Sequence, residues 1–346
     1  VHYERGMHPP LPGRRVFLMG SLGALGVAAC RSKATNARTL RLGWFPNLTH
    51  APALTGLTSG RFARALGGVE LRDHTFNAGP AAIEAMLAGE LDATYVGPIP
   101  AAAGFIRTRG RALKVVAGAA SGGTSFVVRR ALNIRSANDL HNRRLASPQV
   151  GNTQDIALRH YLVQNHLTPT TQGGDVQLTA VDNANILTLF RQGSLDGAWV
   201  PEPWVSRLVN EAGGEIFIDE RDLWPGRAFA ITLLVARADY LRDAPAVIDR
   251  LVDAHAREVR WIRDHGDEAR ALVSQAIERK SGKPLPAPLV AAAWPRIDFS
   301  ADAQRASVEE YVRRARSLGL LTSDDLGGFF DEARITRAKT LAEAPA

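Results

Sequence analysis
Sliding the sequence on itself by 104 residues carries Thr49, Ala53, Leu54, Gly89, Leu91, Asp92 and Val96 onto Thr153, Ala157, Leu158, Gly193, Leu195, Asp196 and Val200 without a gap. Tyr95 falls on Trp199, and the turn from Asn77 to Pro80 falls on Val181 to Ala184. The matches sit on strand ends and helix starts, which marks a structural repeat. From Thr39 onward the chain alternates a short apolar run, a turn rich in Gly, Pro or Asn, and an apolar-periodic helix, the pattern of βαβ units around a parallel sheet. Strands are expected at 40–45, 69–76, 92–97 and 113–119, then at 144–147, 176–181, 197–200 and 229–236. Helices are expected at 51–65, 80–87, 100–108, 153–165, 183–192, 245–265 and 304–318, with a frayed tail from Arg337. Two such lobes present two sets of strand carboxyl ends. Ligands bind at that edge of an open α/β sheet, so two facing edges define a cleft.

The start of the chain reads differently. Arg14 and Arg15 precede an apolar run from Val16 to Ala29 that ends at Cys30, the single cysteine of 346 residues. This is the layout of a secretory signal, and the run is shorter than the ~20 residues that span a bilayer. Val27-Ala28-Ala29-Cys30 resembles a bacterial lipobox, whose cysteine takes a diacylglycerol. Arg14-Arg15-Val16-Phe17-Leu18 also resembles a twin-arginine export signal, with Gly13 and Met19 departing from that pattern. Both the general and the twin-arginine routes stay open. One cysteine excludes a disulfide framework and any cysteine-rich metal site. The net charge of +7 is scattered rather than clustered, which argues against nucleic acid as a partner.

No phosphate loop, HExxH, GxSxG elbow or EF-hand loop occurs past the signal, so neither an enzyme nor a cofactor or metal site is expected. Polar turns open several helices instead: Asn47-Leu48-Thr49-His50, Asn77-Ala78-Gly79-Pro80, Gly97-Pro98-Ile99-Pro100 and Val150-Gly151-Asn152-Thr153-Gln154. Each offers free backbone N–H groups or a short side-chain donor at the positive end of a helix dipole, which suits an anion. Plain N-capping by Asn and Thr is the alternative for any single turn. Ser121-Gly122-Gly123 lies where the first lobe hands over to the second. Trp44, Trp199, Trp204 and Trp224 fall near the same loops and are candidates to wall an organic tail.

These residues carry a resemblance. Leu42 to Ala53, Gly97-Pro98-Ile99-Pro100-Ala101, Ser121-Gly122-Gly123 and Val200-Pro201-Glu202-Pro203-Trp204 look like the solute-binding proteins of ABC importers for aliphatic sulfonates, taurine and nitrate. The likeness runs over roughly Thr39 to Gly328. It implies an α/β fold of two lobes joined by a two-strand hinge, of the type II periplasmic-binding kind, with crossings near Ser125 to Arg129 and Ile231 to Ala236. The chain would divide into a signal (1–29), a lipid-anchored linker (30–38), a first lobe (39–127 plus 233–336), a second lobe (128–232) and the tail (337–346). The resemblance implies ligand contacts at Asn47, Thr49, His50, Gly79, Pro98, Ser121, Gly122, Asn152, Thr153, Glu202 and Trp204. Glu202 departs from the neutral donors expected beside an anion; it would hold an amine or face solvent. The implied partners are a small anionic ligand, a membrane permease with its ATPase, and the membrane itself through Cys30. The protein would act as an extracytoplasmic monomer without cofactor. A sensor and an enzyme on the same fold are the alternatives. The segment before Thr39 is too short and apolar for the helix-turn-helix of LysR-type regulators, and one cysteine cannot supply the cysteine-rich motif of thiamine pyrimidine-precursor synthases.

Cys30→Ala is expected to release the protein from the membrane fraction or leave an uncleaved precursor. Normal processing and unchanged fractionation of the variant would rule out the anchor.

Overall fold
The computed structural model describes residues 38–344, so Cys30 and the signal segment lie outside the described residues. Eleven strands form two sheets. The first contains β1 (Thr39–Trp44), β2 (Glu70–Thr75), β3 (Ala93–Val96), β4 (Leu113–Gly122), β10 (Ala230–Arg237) and β11 (Ile297–Phe299), in the order β11-β4-β10-β3-β1-β2. The second contains β5 (Thr124–Arg129), β6 (Arg144–Ser147), β7 (Gln177–Ala180), β8 (Gly197–Pro201) and β9 (Gly214–Asp219), in the order β7-β6-β8-β5-β9.

The repeat is real at the level of topology. β2-β1-β3 and β7-β6-β8 are both parallel ladders, and each is extended by a strand running the other way, β10 in the first sheet and β5 in the second. The sheets are therefore mixed rather than purely parallel. The antiparallel strand of each is supplied by the chain passing between sheets, after the turn Gly122-Gly123 on the outward path and between Asp219 and Ala230 on the return. Gly122 and Gly123 have φ of 72° and 73°, a region that glycine reaches without strain. A Cβ on Gly122 would also stand 2.7 Å from the Arg296 carbonyl oxygen.

A second sign of duplication is a polar bracket at the amino end of each ladder. Arg41 donates from its backbone N–H and its guanidinium to Asp92, at 2.7–2.9 Å, and reaches the Gly89 carbonyl at 2.5 Å. Arg144 makes the same set to Asp196, at 2.7–3.1 Å, and to the Gly193 carbonyl at 2.8 Å. Asp92 and Asp196 are buried, so each bracket fixes the register of first strand against third by charge-assisted bonds in a poorly hydrated place. Burial raises the Asp196 pKa, but its bonds to Arg144 more than offset that and hold it below the usual carboxylate value.

The helices cover the sheets largely where periodicity puts them, with proline in the first turn of Gly79–Leu87, Pro98–Arg107 and Pro245–Asp264. The helix expected at 51–65 is two, Ala51–Thr58 and Arg61–Leu66, broken at Gly60 with φ of 69°. The tail is not frayed. Glu332–Glu343 is a helix capped by the Asp331 side chain, which buries Ile335, Ala338 and Ala342 on the helix Pro245–Asp264 and is pinned there by Arg334 to Asp249 and Arg337 to Asp253.

Asp92→Asn and Asp196→Asn should each destabilise the fold, Asp92→Asn by up to about 3 kcal/mol because it takes the buried counter-charge away from the partly buried guanidinium groups of Arg41 and Arg237. The Asp196 contribution is present above the unfolded-state carboxylate pKa and disappears as pH falls through the lowered native value. Urea unfolding of the two variants at neutral and acid pH checks both statements.

Candidate functional site
The carboxyl ends of the central strands of both sheets meet around one small cavity, and the residues that line it are paired by the repeat. Thr49 and His50 face it from the first lobe; Thr153 and Gln154, 104 positions on, face it from the second. Gly97 at the end of β3 and Pro201 at the end of β8 are related in the same way. Phe45, Asn47, Asn77, Asn152, Asn183, Ile231 and Thr232 complete the wall. Among the described residues no Lys, Arg, Asp or Glu lines it.

The lobes stand closed on each other. Gly97 packs so tightly that a Cβ there would come within 2.5 Å of the Thr153 hydroxyl. Gly79 approaches the second lobe in the same fashion, with Pro100 and Asn152 next to where a Cβ would be. The Trp204 indole N–H donates to Asn47 Oδ1 at 3.1 Å, and the Leu48 N–H donates to the Glu202 carbonyl at 3.0 Å. Free space in the cavity is about 20 Å³, room for a single water.

Three polar atoms of this wall are buried without a hydrogen-bond partner: Thr153 Oγ1, Thr232 Oγ1 and Asn183 Oδ1. Native interiors rarely leave such groups unpaired, because each unmade bond costs about 1–3 kcal/mol. Thr153 opens its helix without making a side-chain cap, so capping does not explain its hydroxyl. The orphans come from two helix starts of the second lobe and one strand of the first sheet, and all three line the same cavity.

His50 supplies a donor of fixed kind. The Phe45 N–H donates to His50 Nδ1 at 3.3 Å, so the neutral ring carries its proton on Nε2. Burial pushes its pKa down to about 3, which keeps the ring neutral at ordinary pH. Beneath it, 6.4 Å between ring centroids, lies Tyr95, whose hydroxyl bonds His255 Nδ1 at 2.9 Å. His255 Nε2 donates to the Gly118 carbonyl at 2.6 Å; burial brings this ring to about 4, against the opposing pull of that carbonyl.

Of the residues singled out in the sequence, Asn47, Thr49, His50, Asn152 and Thr153 line the cavity. Pro98 opens its helix directly after the lining residue Gly97, Gly79 lies at the lobe contact, and Trp204 stands at the rim. Ser121 and Gly122 belong to the crossing, where the Ser121 hydroxyl accepts the Phe229 N–H at 3.2 Å. Glu202 neither faces solvent nor points into the cavity. Its buried carboxylate accepts from the Ser206 N–H and hydroxyl and from Arg296 at 2.9–3.1 Å; burial raises its pKa and these partners pull it back. Asn183 and Thr232 are lining residues that sequence reasoning passed over. Asn183 was reachable through the repeat, being the counterpart of Gly79, whereas Thr232 is one hydroxyl inside an apolar strand.

A model of the NMT1-like family matches residues 33–278. The chain belongs to that family. A taurine-binding periplasmic protein of Escherichia coli is 23% identical over 231 residues, 66% of each chain. Two solved structures are similar in fold to this NMT1-like protein. The aliphatic sulphonate binding protein SsuA of Escherichia coli gives a TM-score of 0.67 at 20% identity, over 89% of this chain and 99% of its own. The nitrate-binding protein NrtA of Synechocystis gives 0.71 at 14% identity, over 89% of this chain and 90% of its own. The two-lobed periplasmic-binding fold and the resemblance to sulfonate, taurine and nitrate solute-binding proteins are thereby established, and these three relatives are binding proteins.

Two buried neutral histidines make stability acid-sensitive. Between the unfolded-state value of 6.5 and native values of about 3 and 4, the unfolded chain binds protons that the native His50 and His255 do not. Stability should therefore be full above that window and fall as pH drops through it, by up to about 1.4 kcal/mol per pH unit for each ring. His50→Gln should flatten the slope of stability against pH between 6 and 4, read by denaturant titration, by about one proton's worth.

Proposed function
We propose that this protein is the extracytoplasmic solute-binding component of an ABC importer, acting as a monomer held to the membrane by lipid at Cys30. It captures a small anionic ligand of the sulfonate, taurine or nitrate kind between its lobes and delivers it to a membrane permease whose ATPase drives transport. The observation that carries this reading is the convergence of unpaired buried atoms, Thr153 Oγ1 and Thr232 Oγ1 with Asn183 Oδ1, on a cavity between two sheets. Hydroxyls, the Nε2–H of His50 and the amides of Asn47, Asn152 and Gln154 are dipoles that can satisfy an oxyanion without a formal counter-charge. About 20 Å³ of free space is too little for any of these ligands to enter by diffusion through a closed wall. Uptake therefore requires the lobes to part, and ligand favours the closed form by its differential affinity for it.

A thermal-shift screen of aliphatic sulfonates, taurine and nitrate tests the ligand class, since a compound at about 100 times its dissociation constant adds about 2.7 kcal/mol. With a hit from that screen, Thr49→Ala and Thr153→Ala should each weaken binding about ten- to a hundredfold, the value of a hydrogen bond to a charged group. Thr153→Ala should leave the melting temperature of the free protein nearly unchanged. A loss of stability with affinity held within about twofold would identify these threonines as caps and place the ligand elsewhere.

A further inference from the structure
Glu220 sits one residue past β9, where the chain leaves the second sheet to return to the first, and it is 1% exposed. Among the described residues no cation pairs with it. Its carboxylate accepts from four neutral donors, and these divide between the second sheet and the hydrophobic core built around the first sheet. Oε2 accepts from the Thr124 hydroxyl and the Trp199 indole N–H, both at 2.7 Å, and these residues belong to β5 and β8 of the second sheet. Oε1 accepts from the Tyr311 hydroxyl and, at 3.4 Å, from the Trp224 indole N–H, and both of these rings belong to the core of the first lobe.

We infer that Glu220 is the hinge pivot of this protein, a positioning residue whose carboxylate joins the lobes by giving one oxygen to each. An ionised carboxylate has lone pairs for two donors on each oxygen. Because all four partners are neutral and three of them are rigid buried rings, the group fixes position and orientation together, which a flexible ion pair does not. The first-lobe arm also reaches the ligand cavity. Tyr311 lies on the helix Arg305–Ser317, which packs against both Pro98–Arg107 and Thr153–Gln164, the helices that start at Gly97 and Thr153 beside the cavity. The guanidinium of Arg314, on the same helix, stacks 4.0 Å from the Trp224 ring centre and backs that arm with positive charge. A movement of the lobes about Glu220 is thus transmitted to the two helix starts that must meet the ligand.

The inference rests on the reading that the lobes move, and the test separates the two. Spin labels at the exposed positions Ala63 and Gln172, in the full chain carrying Cys30→Ser, report the distance between lobes. Wild type with and without nitrate, taurine and methanesulfonate tests closure; the variants are measured without ligand. Glu220→Gln keeps the shape but turns one oxygen into an amide that cannot accept, so one lobe loses both its bonds. Its distance distribution should be about twice as wide as that of wild type, as expected for a freed hinge. Tyr311→Phe and Trp199→Phe each cut a single donor on one arm and should widen the distribution less, and combining them should add little beyond the larger single effect. These variants also stand in if Glu220→Gln fails to fold. Broad distributions in the variants, whether or not wild type responds to ligand, support the pivot. Wild-type distances in all variants, with only a lowered melting temperature, would overturn it while leaving closure intact.

Discussion
Each lobe is organised by one buried aspartate gripped by an arginine of that lobe's first strand. In the first sheet Asp92 draws in the backbone and side chain of Arg41, and Arg237 closes on it from β10. In the second, Asp196 does the same to Arg144. Because the acid opens the third strand and the arginine lies on the first, the bracket sets how far one strand is slid along the other. That slide decides where the opposite ends of the strands stop. The loops there, from Phe45 to His50 and from Gln149 to Gln154, carry the cavity wall. A polar clamp at the far edge of each sheet thus governs the geometry of the cavity-facing edge, while among the described residues no charged side chain enters the cavity wall itself.

The two clamps also explain why so much could be read before the structure was seen. Gly89, Asp92 and Thr49 recur as Gly193, Asp196 and Thr153 because each position has a duty that few residues perform: a left-handed turn, a buried acceptor, a hydroxyl at a helix start. The parallel strands and their helices were legible for the same reason. What escaped was whatever depends on the other half of the molecule. The Ser125–Arg129 segment reads as a crossing, and becomes part of the antiparallel member of a sheet only because β8 and β9 come to lie on either side of it. The helix from Glu332 buries alanines at Ala338 and Ala342, too weak a stripe to stand out among charged neighbours, and its order comes from the aspartates of a distant helix.

The site shows the same division. Turn chemistry located the threonines and asparagines at helix starts, since donors at such places are local facts. It could not separate Thr153, whose hydroxyl is left unpaired, from Ser121 and Glu202, whose polar atoms are consumed by Phe229, Ser206 and Arg296. Whether a polar group is free is a property of its neighbours. Thr232 is the sharpest case, one hydroxyl in a strand of Ile, Leu and Val that takes on meaning only when it opens onto a polar cavity.

The locked tautomer of His50 has a consequence for release. Among the described lining residues His50 is the one titratable ring, and burial keeps it neutral down to about pH 3. The wall then adds no proton uptake or release of its own near neutrality, so any pH dependence of filling has to come from the bound molecule. Under the proposed import role, release then falls to the opening of the lobes rather than to a proton.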